Sequence, residues 1–414
     1  MKYNIDNEEL LQNFITYAKV NTRSDEEAPV DQVPSTLGQL ELAQLIKKQL
    51  EELELQDVKI NPDNGFVTGL LPGNTDEDVP TIGFIAHLDT ADFAAENVKP
   101  QVHPNYDGKP IDFVNGLKLT TSEFPNLKRF IGQTLITGDG TTLLGVDDKA
   151  GIAGAISAVS YFVHHPEVVH GPIKLGFGPD EEIGRGAKLF DVEDFNADFA
   201  YTLDNGDLGD IEYETFNAAQ AVIDIQGRSV HPGQAKDGQL VNAITIGEQL
   251  DQLIPTDERA ELTEGREGYY LMLIFDAKIE HARLVYIIRD FEKDNFEHRK
   301  KVVQDAVDQL NSKLDKPRIT LKMTDQYYNM ANIIQKNPYP VDLAKQALKN
   351  VGLTPKTKAF RGGTDGSFIT YLGLPTPNLF NGGDNFHGPY EFVTVEAMAK
   401  LAETIVEISC IAKN

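Results

Sequence analysis

Positive charge, cysteine and long apolar runs are all scarce in this sequence of 414 residues. The single cysteine, Cys410, excludes a disulfide framework and is typical of a reducing compartment. No apolar run reaches the roughly 18 residues that a membrane helix requires. Residues Met1 to Leu11 are polar and charged, unlike the apolar centre of a signal peptide. Together these features predict a cytoplasmic protein.

Basic residues are outnumbered by acidic ones, 38 to 64, and the formal net charge is −26. A field of that sign repels nucleic acid and anionic membranes, so neither is expected as a partner. Acidity of this kind usually serves solubility. Part of it can be functional, because clustered carboxylates bind divalent cations.

The apolar periodicity predicts an α/β fold in which a sheet is covered by helices. The chain is too long for one ordinary core, so two domains are expected. An opening helix is expected to bury Leu11, Phe14, Ile15 and Ala18. Further helices are predicted at 36–53, 150–162, 341–350 and 395–412, and strands at 65–71, 81–86, 173–178, 199–203 and 377–380.

The pattern changes near residue 215, where strand and helix signals follow the order β-α-β-β-α-β. This order is that of a ferredoxin-like fold. We therefore expect a main domain at 1–213 and 326–414, with a second domain at 214–325 inserted into it.

Four predicted apolar strands of the main domain are each followed by side chains that can bind a metal ion. A fifth set of such side chains lies where a loop enters a helix. The residues concerned are His87, Asp89, Asp147, Glu181, Glu182, Asp204 and His387. In open α/β sheets, ligands bind at the carboxyl ends of strands. Each residue alone could be a turn, cap or surface residue, but the joint pattern favours a metal site.

Three further residues are candidates for binding a substrate. His231 lies in a Pro-Gly turn that fixes its backbone, although a turn histidine is usually a surface residue. Arg361 opens a glycine-rich turn whose N–H groups could form an anion nest. Arg289 ends a predicted strand, with an ion pair to Asp290 or Glu292 as the alternative.

These motifs resemble the co-catalytic zinc exopeptidases, a family that includes carboxypeptidase G, the carnosinase-like dipeptidases and peptidase T. The resemblance covers nearly the whole chain. The matching stretches are His87-x-Asp89, 147–151, Glu181-Glu182, Asp204 and His387. The blocks 178–182, 201–204, 216–219, 286–291 and 361–366 are similar to the tripeptide aminopeptidases of the family in particular.

The resemblance implies an aminotripeptidase with two Zn²⁺ ions per subunit, for which Co²⁺ or Mn²⁺ can substitute. It implies that His87 and Asp204 hold one ion, that Glu182 and His387 hold the other, and that Asp147 bridges them. The peptide bond between Asp147 and Asp148 is expected to be cis.

The remaining roles also follow from the resemblance. Asp89 would orient His87, and Glu181 would be the general base. His231 would stabilise the oxyanion, while Arg289 and Arg361 would hold the substrate carboxylate. The expected partners are tripeptides, and the inserted domain is expected to serve as a lid through which a homodimer could form.

Three related activities use the same bond-breaking residues and stay open at this point: dipeptidase, carboxypeptidase and N-acyl amino acid deacylase. A non-enzymatic binding protein would be expected to have lost a ligand or Glu181, and none is missing. Two departures from the family pattern bear on substrate preference. Asp204 is followed by Asn205-Gly206, where the family often has two glycines. Asp384 stands where an uncharged or aromatic residue is expected.

Overall fold

The computed structural model describes residues 2–413, which form two compact units. The first comprises Met1–Tyr213, Asn332–Lys358 and Thr364–Asn414, and the second comprises Glu214–Ala331 and Ala359–Gly363. The short segment 359–363 thus belongs to the second unit although it comes late in the chain. The domain limits drawn from the sequence stay a prediction.

The strands are β1 Gln56–Ile60, β2 Val67–Leu71, β3 Ile82–His87, β4 Gln101–His103, β5 Ile111–Asp112, β6 Lys118–Leu119, β7 Leu135–Thr137, β8 Ile173–Gly178, β9 Phe199–Asn205, β10 Asp210–Thr215, β11 Asn217–Gln226, β12 Tyr269–Ala277, β13 His281–Asp290, β14 Ile319–Tyr327, β15 Lys356–Phe360, β16 Asn378–Phe380 and β17 Phe392–Thr394. The α-helices are α1 Asn7–Ala18, α2 Leu37–Glu52, α3 Val146–His164, α4 Val192–Phe195, α5 Ala243–Asp251, α6 Lys293–Asn311, α7 Ala331–Ile334, α8 Tyr339–Asn350, α9 Asp365–Leu372 and α10 Val395–Ile411.

An eight-stranded mixed sheet forms the framework of the first unit, in the order β1-β2-β8-β3-β9-β16-β10-β15. Strand β3 runs parallel to β8 and β9, and β16 runs parallel to β9. Strands β3 and β8 are buried along their whole length, as expected for parallel strands covered on both faces. The carboxyl ends of β3, β8, β9 and β16 therefore meet at one edge of the sheet.

Helix α3 is buried almost all round because it packs against α1, α10 and the sheet. Its sequence is rich in alanine and glycine, which permits close approach. A methyl group on Gly154 would lie 2.5 Å from Leu401 Cδ2 of α10, so a larger residue there would push the helices apart. This packing fixes the start of α3, where Asp147 lies.

The second unit contains a four-stranded antiparallel sheet in the order β12-β13-β11-β14. Helices α5 and α6 contact this sheet, and their apolar faces form one core with it. The chain order β11-α5-β12-β13-α6-β14 confirms the predicted ferredoxin-like arrangement. The predicted α/β class is confirmed as well, and its main sheet contains both parallel and antiparallel pairs. Within residues 2–413, no helix combines the length and the apolar composition needed to cross a membrane.

The apolar face predicted for the opening helix is partly wrong. Helix α1 buries Leu10, Phe14, Tyr17 and Ala18, whereas Leu11 and Ile15 are only half-buried. Spacings of three and four residues link both sets, so periodicity alone could not choose the register. The sequence interpretation also missed β1, β10 and β15, which are polar strands near the sheet edges.

Candidate metal centre

Three side chains that can bind a metal ion lie at the carboxyl edge of the eight-stranded sheet. His87 ends β3, Glu182 follows β8, and Asp204 lies near the end of β9. Residue His87 is paired with Gly178 across the parallel strands, so the two chain ends lie level. Asp147 enters from the start of α3, and its peptide bond to Asp148 is cis, as predicted.

The first group consists of His87, Asp147 and Asp204, whose ligand atoms all lie within 4.8 Å of one another. His87 Nε2 is 3.0 Å from Asp147 Oδ1 and 3.8 Å from Asp204 Oδ1. His87 is 2% exposed, so its ring is fixed by packing. One nitrogen and two carboxylate oxygens facing a common point match the ligands that Zn²⁺ takes in proteins.

The second group consists of Asp147, Glu182 and His387, again with ligand atoms within 4.8 Å. His387 Nε2 lies 3.1 Å from Asp147 Oδ2 and 3.2 Å from Glu182 Oε1. Asp147 thus turns one oxygen to each imidazole. A carboxylate with this division of its oxygens can bridge two cations.

The charges of the site fit a bound cation better than a purely hydrogen-bonded cluster. Glu182 Oε1 is buried and lacks a well-aligned hydrogen bond. Across residues 2–413, no lysine or arginine pairs with Asp147, Glu182 or Asp204. Burying carboxylates without a positive partner is costly. The residues present therefore fit divalent metal ions.

The pKa values point the same way. Burial, followed by repulsion from Asp147, raises the pKa of Asp204 well above its usual range. Burial, followed by repulsion from Asp204, does the same for Glu181. Hydrogen bonds to Asp147 and Glu182 raise the pKa of His387 to about 10. Without added positive charge, these acids and imidazoles can be accommodated only by holding protons.

Asp89 lies behind His87 and is completely buried. His87 Nδ1 is 3.1 Å from the backbone carbonyl oxygen of Asp89 and 3.3 Å from its Oδ1, which leaves Nε2 for the metal side of the ring. The same carboxylate accepts the backbone N–H groups of Glu181 and Glu182, at 3.0 and 3.1 Å. Asp89 therefore positions the chain after β8 as well as the imidazole.

The two adjacent glutamates differ in their surroundings. Glu182 contributes an oxygen to the second group, whereas Glu181 belongs to neither group. Consecutive side chains leave the backbone in different directions, so they cannot take the same part. The assignment of Glu182 to a metal ion and of Glu181 to proton transfer stays a prediction, and this placement agrees with it.

Sequence reasoning missed several residues that hold the ligands in place. Asn378 of β16 clamps the backbone of Asp204: its Oδ1 accepts the N–H at 2.9 Å and its Nδ2 donates to the carbonyl at 2.8 Å. Arg129 pairs with Asp207 at 2.7 Å and with Asp384 at 2.9 Å. The unexpected Asp384 therefore has a partner. Since these contacts join segments far apart in the chain, no local motif announces them.

The three candidates for substrate binding, His231, Arg289 and Arg361, lie in the second unit. His231 is exposed, and its Nδ1 accepts the N–H of Gly233 at 3.2 Å. A neutral ring in that state carries its proton on Nε2, which is then a hydrogen-bond donor. Its predicted role in oxyanion stabilisation stays a prediction.

Arg289 is 9% exposed, and its Nη1 donates to the carbonyls of Ala219 and Ile288 at 3.2 and 3.0 Å. Within residues 2–413, Arg289 forms no ion pair with Asp290 or Glu292, the alternative that the sequence left open. Asp290 pairs with Arg299 instead, and Glu292 pairs with Arg266.

Arg361 is bound more completely. Its two Nη atoms donate to the carbonyls of Gly265 and Glu267 and to Thr263 Oγ1, at 3.0, 2.8 and 2.9 Å. Its guanidinium also lies over the rings of Phe216 and Tyr269. These contacts give Arg361 a structural role in its own unit, and its contact with a substrate stays a prediction.

Comparison with known proteins explains why these motifs occur together. A model of the peptidase family M20/M25/M40 matches residues 138–409. The chain belongs to that family. Among curated relatives, a "Peptidase T" of Fusobacterium nucleatum is 52% identical over 401 residues, covering 96% of each chain. A "Peptidase T" of Bacillus subtilis is 51% identical over 405 residues, covering 97% of this chain and 98% of the relative.

Solved structures share the fold of this M20/M25/M40 chain. An aminopeptidase from Bacillus cereus superposes with a TM-score of 0.78 at 24% identity, over 98% of both chains. A dinuclear metal-binding peptidase of the M20 family from Bacillus subtilis superposes with a TM-score of 0.65 at 14% identity, also over 98% of both chains. At these identities the likeness shows the architecture alone.

Proposed function

We propose that this chain is a metal-dependent aminotripeptidase that releases the N-terminal residue from tripeptides with the help of two Zn²⁺ ions. The observation that carries the proposal is the pair of ligand groups that share Asp147. Full-length relatives of about the same size, more than 50% identical and named "Peptidase T", support the substrate class. The M20-family neighbour described as dinuclear supports the two-ion arrangement.

His87 and Asp204 would hold one ion, Glu182 and His387 the other, and Asp147 both. Two divalent ions in such a site polarise the scissile carbonyl and allow a water molecule to lose a proton near neutral pH. Co²⁺ or Mn²⁺ would fit the same nitrogen and oxygen ligands, because neither ligand type is specific to zinc.

Glu181 would handle the protons of the reaction. Its carboxylate accepts a proton from the attacking water and delivers it to the nitrogen of the leaving dipeptide. Glu181 belongs to neither ligand group, so its carboxylate is available for proton transfer. Asp89 would keep Glu181 in place, because its Oδ1 accepts a hydrogen bond from the backbone N–H of Glu181.

His231 would donate from Nε2 to the oxyanion, and Arg289 and Arg361 would hold the carboxylate of the substrate. These three assignments rest on the resemblance of their motifs. The hydrogen-bonded state of His231 supports its assignment. The saturated Nη atoms of Arg361 make its assignment the weakest.

A panel of substrates tests the function and separates it from its rivals. Free tripeptides should be cleaved fastest, with one N-terminal amino acid and one dipeptide as products. Dipeptides and longer peptides should be poor substrates, and N-acetylated tripeptides should resist because the free amine is blocked. Equal cleavage of acetylated and free tripeptides would assign the chain to the deacylases instead.

We also propose that the protein acts in the cytoplasm as a homodimer formed through the second unit. Strand β12 is an edge strand with exposed apolar side chains at Leu273, Ile274 and Phe275. The 258–259 segment bridges this edge at Tyr270, and beyond that bridge an exposed apolar edge of this kind can pair with another strand. If Ile274→Lys and wild-type protein both sediment as monomers, the dimer proposal is wrong; a dimer that only the wild type forms supports it.

A further inference from the structure

Glu391 is a buried carboxylate that the proposed reaction does not use. It is 1% exposed and lies four residues after His387. Its Oε2 accepts the backbone N–H groups of Leu144 and Gly145 at 2.8 and 2.7 Å, and its Oε1 accepts that of Asp147 at 3.1 Å. All three donors lie in the turn that carries Asp147 into α3.

That turn needs an external acceptor. Leu144 and Gly145 lie before the helix, and Asp147 and Asp148 have non-helical backbone angles, so helical hydrogen bonding does not supply acceptors for the N–H groups of this buried turn. At α3 the residue before the helix is Gly145, which has no side chain to act as a cap and adopts a left-handed φ of 83°. Glu391 supplies the missing acceptors from a segment more than 240 residues away.

The position of Glu391 ties together two parts of the metal centre. One partner of its carboxylate is the N–H of Asp147, the residue common to both ligand groups. Its own backbone belongs to the loop that follows His387, a member of the second group. Asp147 lies 3.0 Å from His87 Nε2 and 3.1 Å from His387 Nε2, so a small displacement of the turn would disturb both distances.

We propose that Glu391 is a positioning residue for the metal centre. It holds the 144–147 turn against the His387 loop so that the two oxygens of Asp147 face the two imidazoles. Glu391 touches neither ligand side chain and acts through the backbone alone. The inference rests on the proposed function, because it assumes that Asp147 bridges two ions.

The consequence is a specific pattern of defects. Partners that orient metal ligands typically contribute about 10–100-fold to metal affinity or activity. Glu391→Gln keeps the shape but removes one acceptor and places an amide NH₂ against a backbone N–H. We expect the affinity for the weaker of the two ions to fall by about 10–100-fold, and kcat at limiting metal to fall with it. KM should change little, because Glu391 does not contact substrate.

A matched control comes from the same region of the chain. Glu396 also accepts a backbone N–H with both carboxylate oxygens, but its donor is Thr134, which belongs to neither ligand group. Glu396→Gln should therefore keep the wild-type metal affinity and kcat. Any loss of stability common to the two variants measures the general effect of removing such a carboxylate.

The experiment measures zinc affinity by competition with a chromophoric chelator, and amide hydrogen exchange of the 140–150 segment in metal-free protein. Glu391→Gln should weaken zinc binding and speed exchange in that segment, while Glu396→Gln should do neither. Glu391→Asp retains the charge and should lie between wild type and Glu391→Gln, and it serves if Glu391→Gln does not fold.

Two results are decisive. Wild-type zinc affinity in folded Glu391→Gln or Glu391→Asp, with exchange no faster than in the control, would overturn the inference. The proposed function fails separately, if the wild-type protein itself binds no divalent ion and cleaves no tripeptide.

Discussion

The residue roles in the metal centre of the first unit and in the arginine sites of the second come from the same resemblance, yet the hydrogen bonding of the two regions differs. In the metal centre, acids outnumber the groups that could neutralise them, and Glu182 Oε1 lacks a well-aligned hydrogen bond. In the second unit, both Nη atoms of Arg361 are occupied by acceptors of its own unit. Polar atoms without hydrogen-bond partners therefore distinguish residues suited to bind a ligand from residues whose hydrogen bonds are already made within the protein.

Arg289 lies between these extremes. Its Nη1 is occupied by two carbonyls, but across residues 2–413 its Nη2 and Nε make no hydrogen bond. It keeps donors that a substrate carboxylate could use. By this criterion we rank the metal centre first, Arg289 next and Arg361 last as functional sites, and the predictions below test that order.

Removal of metal should have the largest effect. Treatment with a strong chelator followed by gel filtration should abolish tripeptide hydrolysis, because the acids of the centre are arranged for cations that would then be missing. Adding back Zn²⁺, Co²⁺ or Mn²⁺ should restore it. The check is activity against metal content measured by mass spectrometry, and full activity in metal-free protein would contradict the proposal.

The adjacent glutamates should fail in different ways. Glu181→Gln keeps the shape and removes the base, so kcat should fall by about 10²–10⁴ while zinc content stays at the wild-type level. Glu182→Gln should lose one ion, and excess metal should restore part of its activity. Zinc per subunit and kcat for both variants are the measurements. The reverse pattern would mean that the two roles are exchanged.

His231 should contribute less than the centre but more than a surface residue. Loss of one donor to an oxyanion costs about 10²–10³ in kcat, and His231→Ala should show a fall of that order. His298 of α6 is also exposed and provides a control, since His298→Ala should behave as wild type. Unchanged kcat and KM in His231→Ala would show that His231 has only a structural role in its turn.

The sequence was most informative where the fold repeats a local rule. Strands β3, β8 and β9 are apolar runs with His87 and Asp204 at or near the ends of β3 and β9 and with Glu181 and Glu182 shortly after β8, and the parallel arrangement brings these ends together. Strands such as β1 and β15 were not predicted, because polar edge strands bury little surface and carry weak periodicity.

The residues that support the ligands could not be predicted from the sequence for a different reason. The contacts of Asn378 with Asp204 and of Glu391 with Gly145 span more than 170 residues of chain. Before the fold is known, an asparagine in a short strand and a glutamate in a loop have no distinguishing pattern. The ligands and Asp89 could be identified from the sequence, whereas Asn378 and Glu391 became visible as supporting residues only through their distances.

The smallest effect on catalysis should come from Arg361, and its test measures stability and binding separately. Arg361→Lys keeps the charge but loses the planar fork that reaches Gly265, Glu267 and Thr263, and a lysine cannot satisfy all three acceptors. Loss of these hydrogen bonds should lower the free energy of unfolding by about 1–3 kcal/mol, measured as a lower midpoint of unfolding in denaturant.

The binding test compares KM for a tripeptide and for its C-terminal amide. If the role of Arg361 is structural, KM should be nearly unchanged for both substrates in Arg361→Lys. If Arg361 instead grips the substrate carboxylate, KM should rise for the tripeptide and stay constant for the amide, which has no carboxylate to lose. Arg289→Lys, measured beside it, should show that second pattern, because Arg289 retains free donors. A rise in KM confined to Arg361→Lys would reverse the ranking and show that its saturated hydrogen bonds are exchanged when substrate binds.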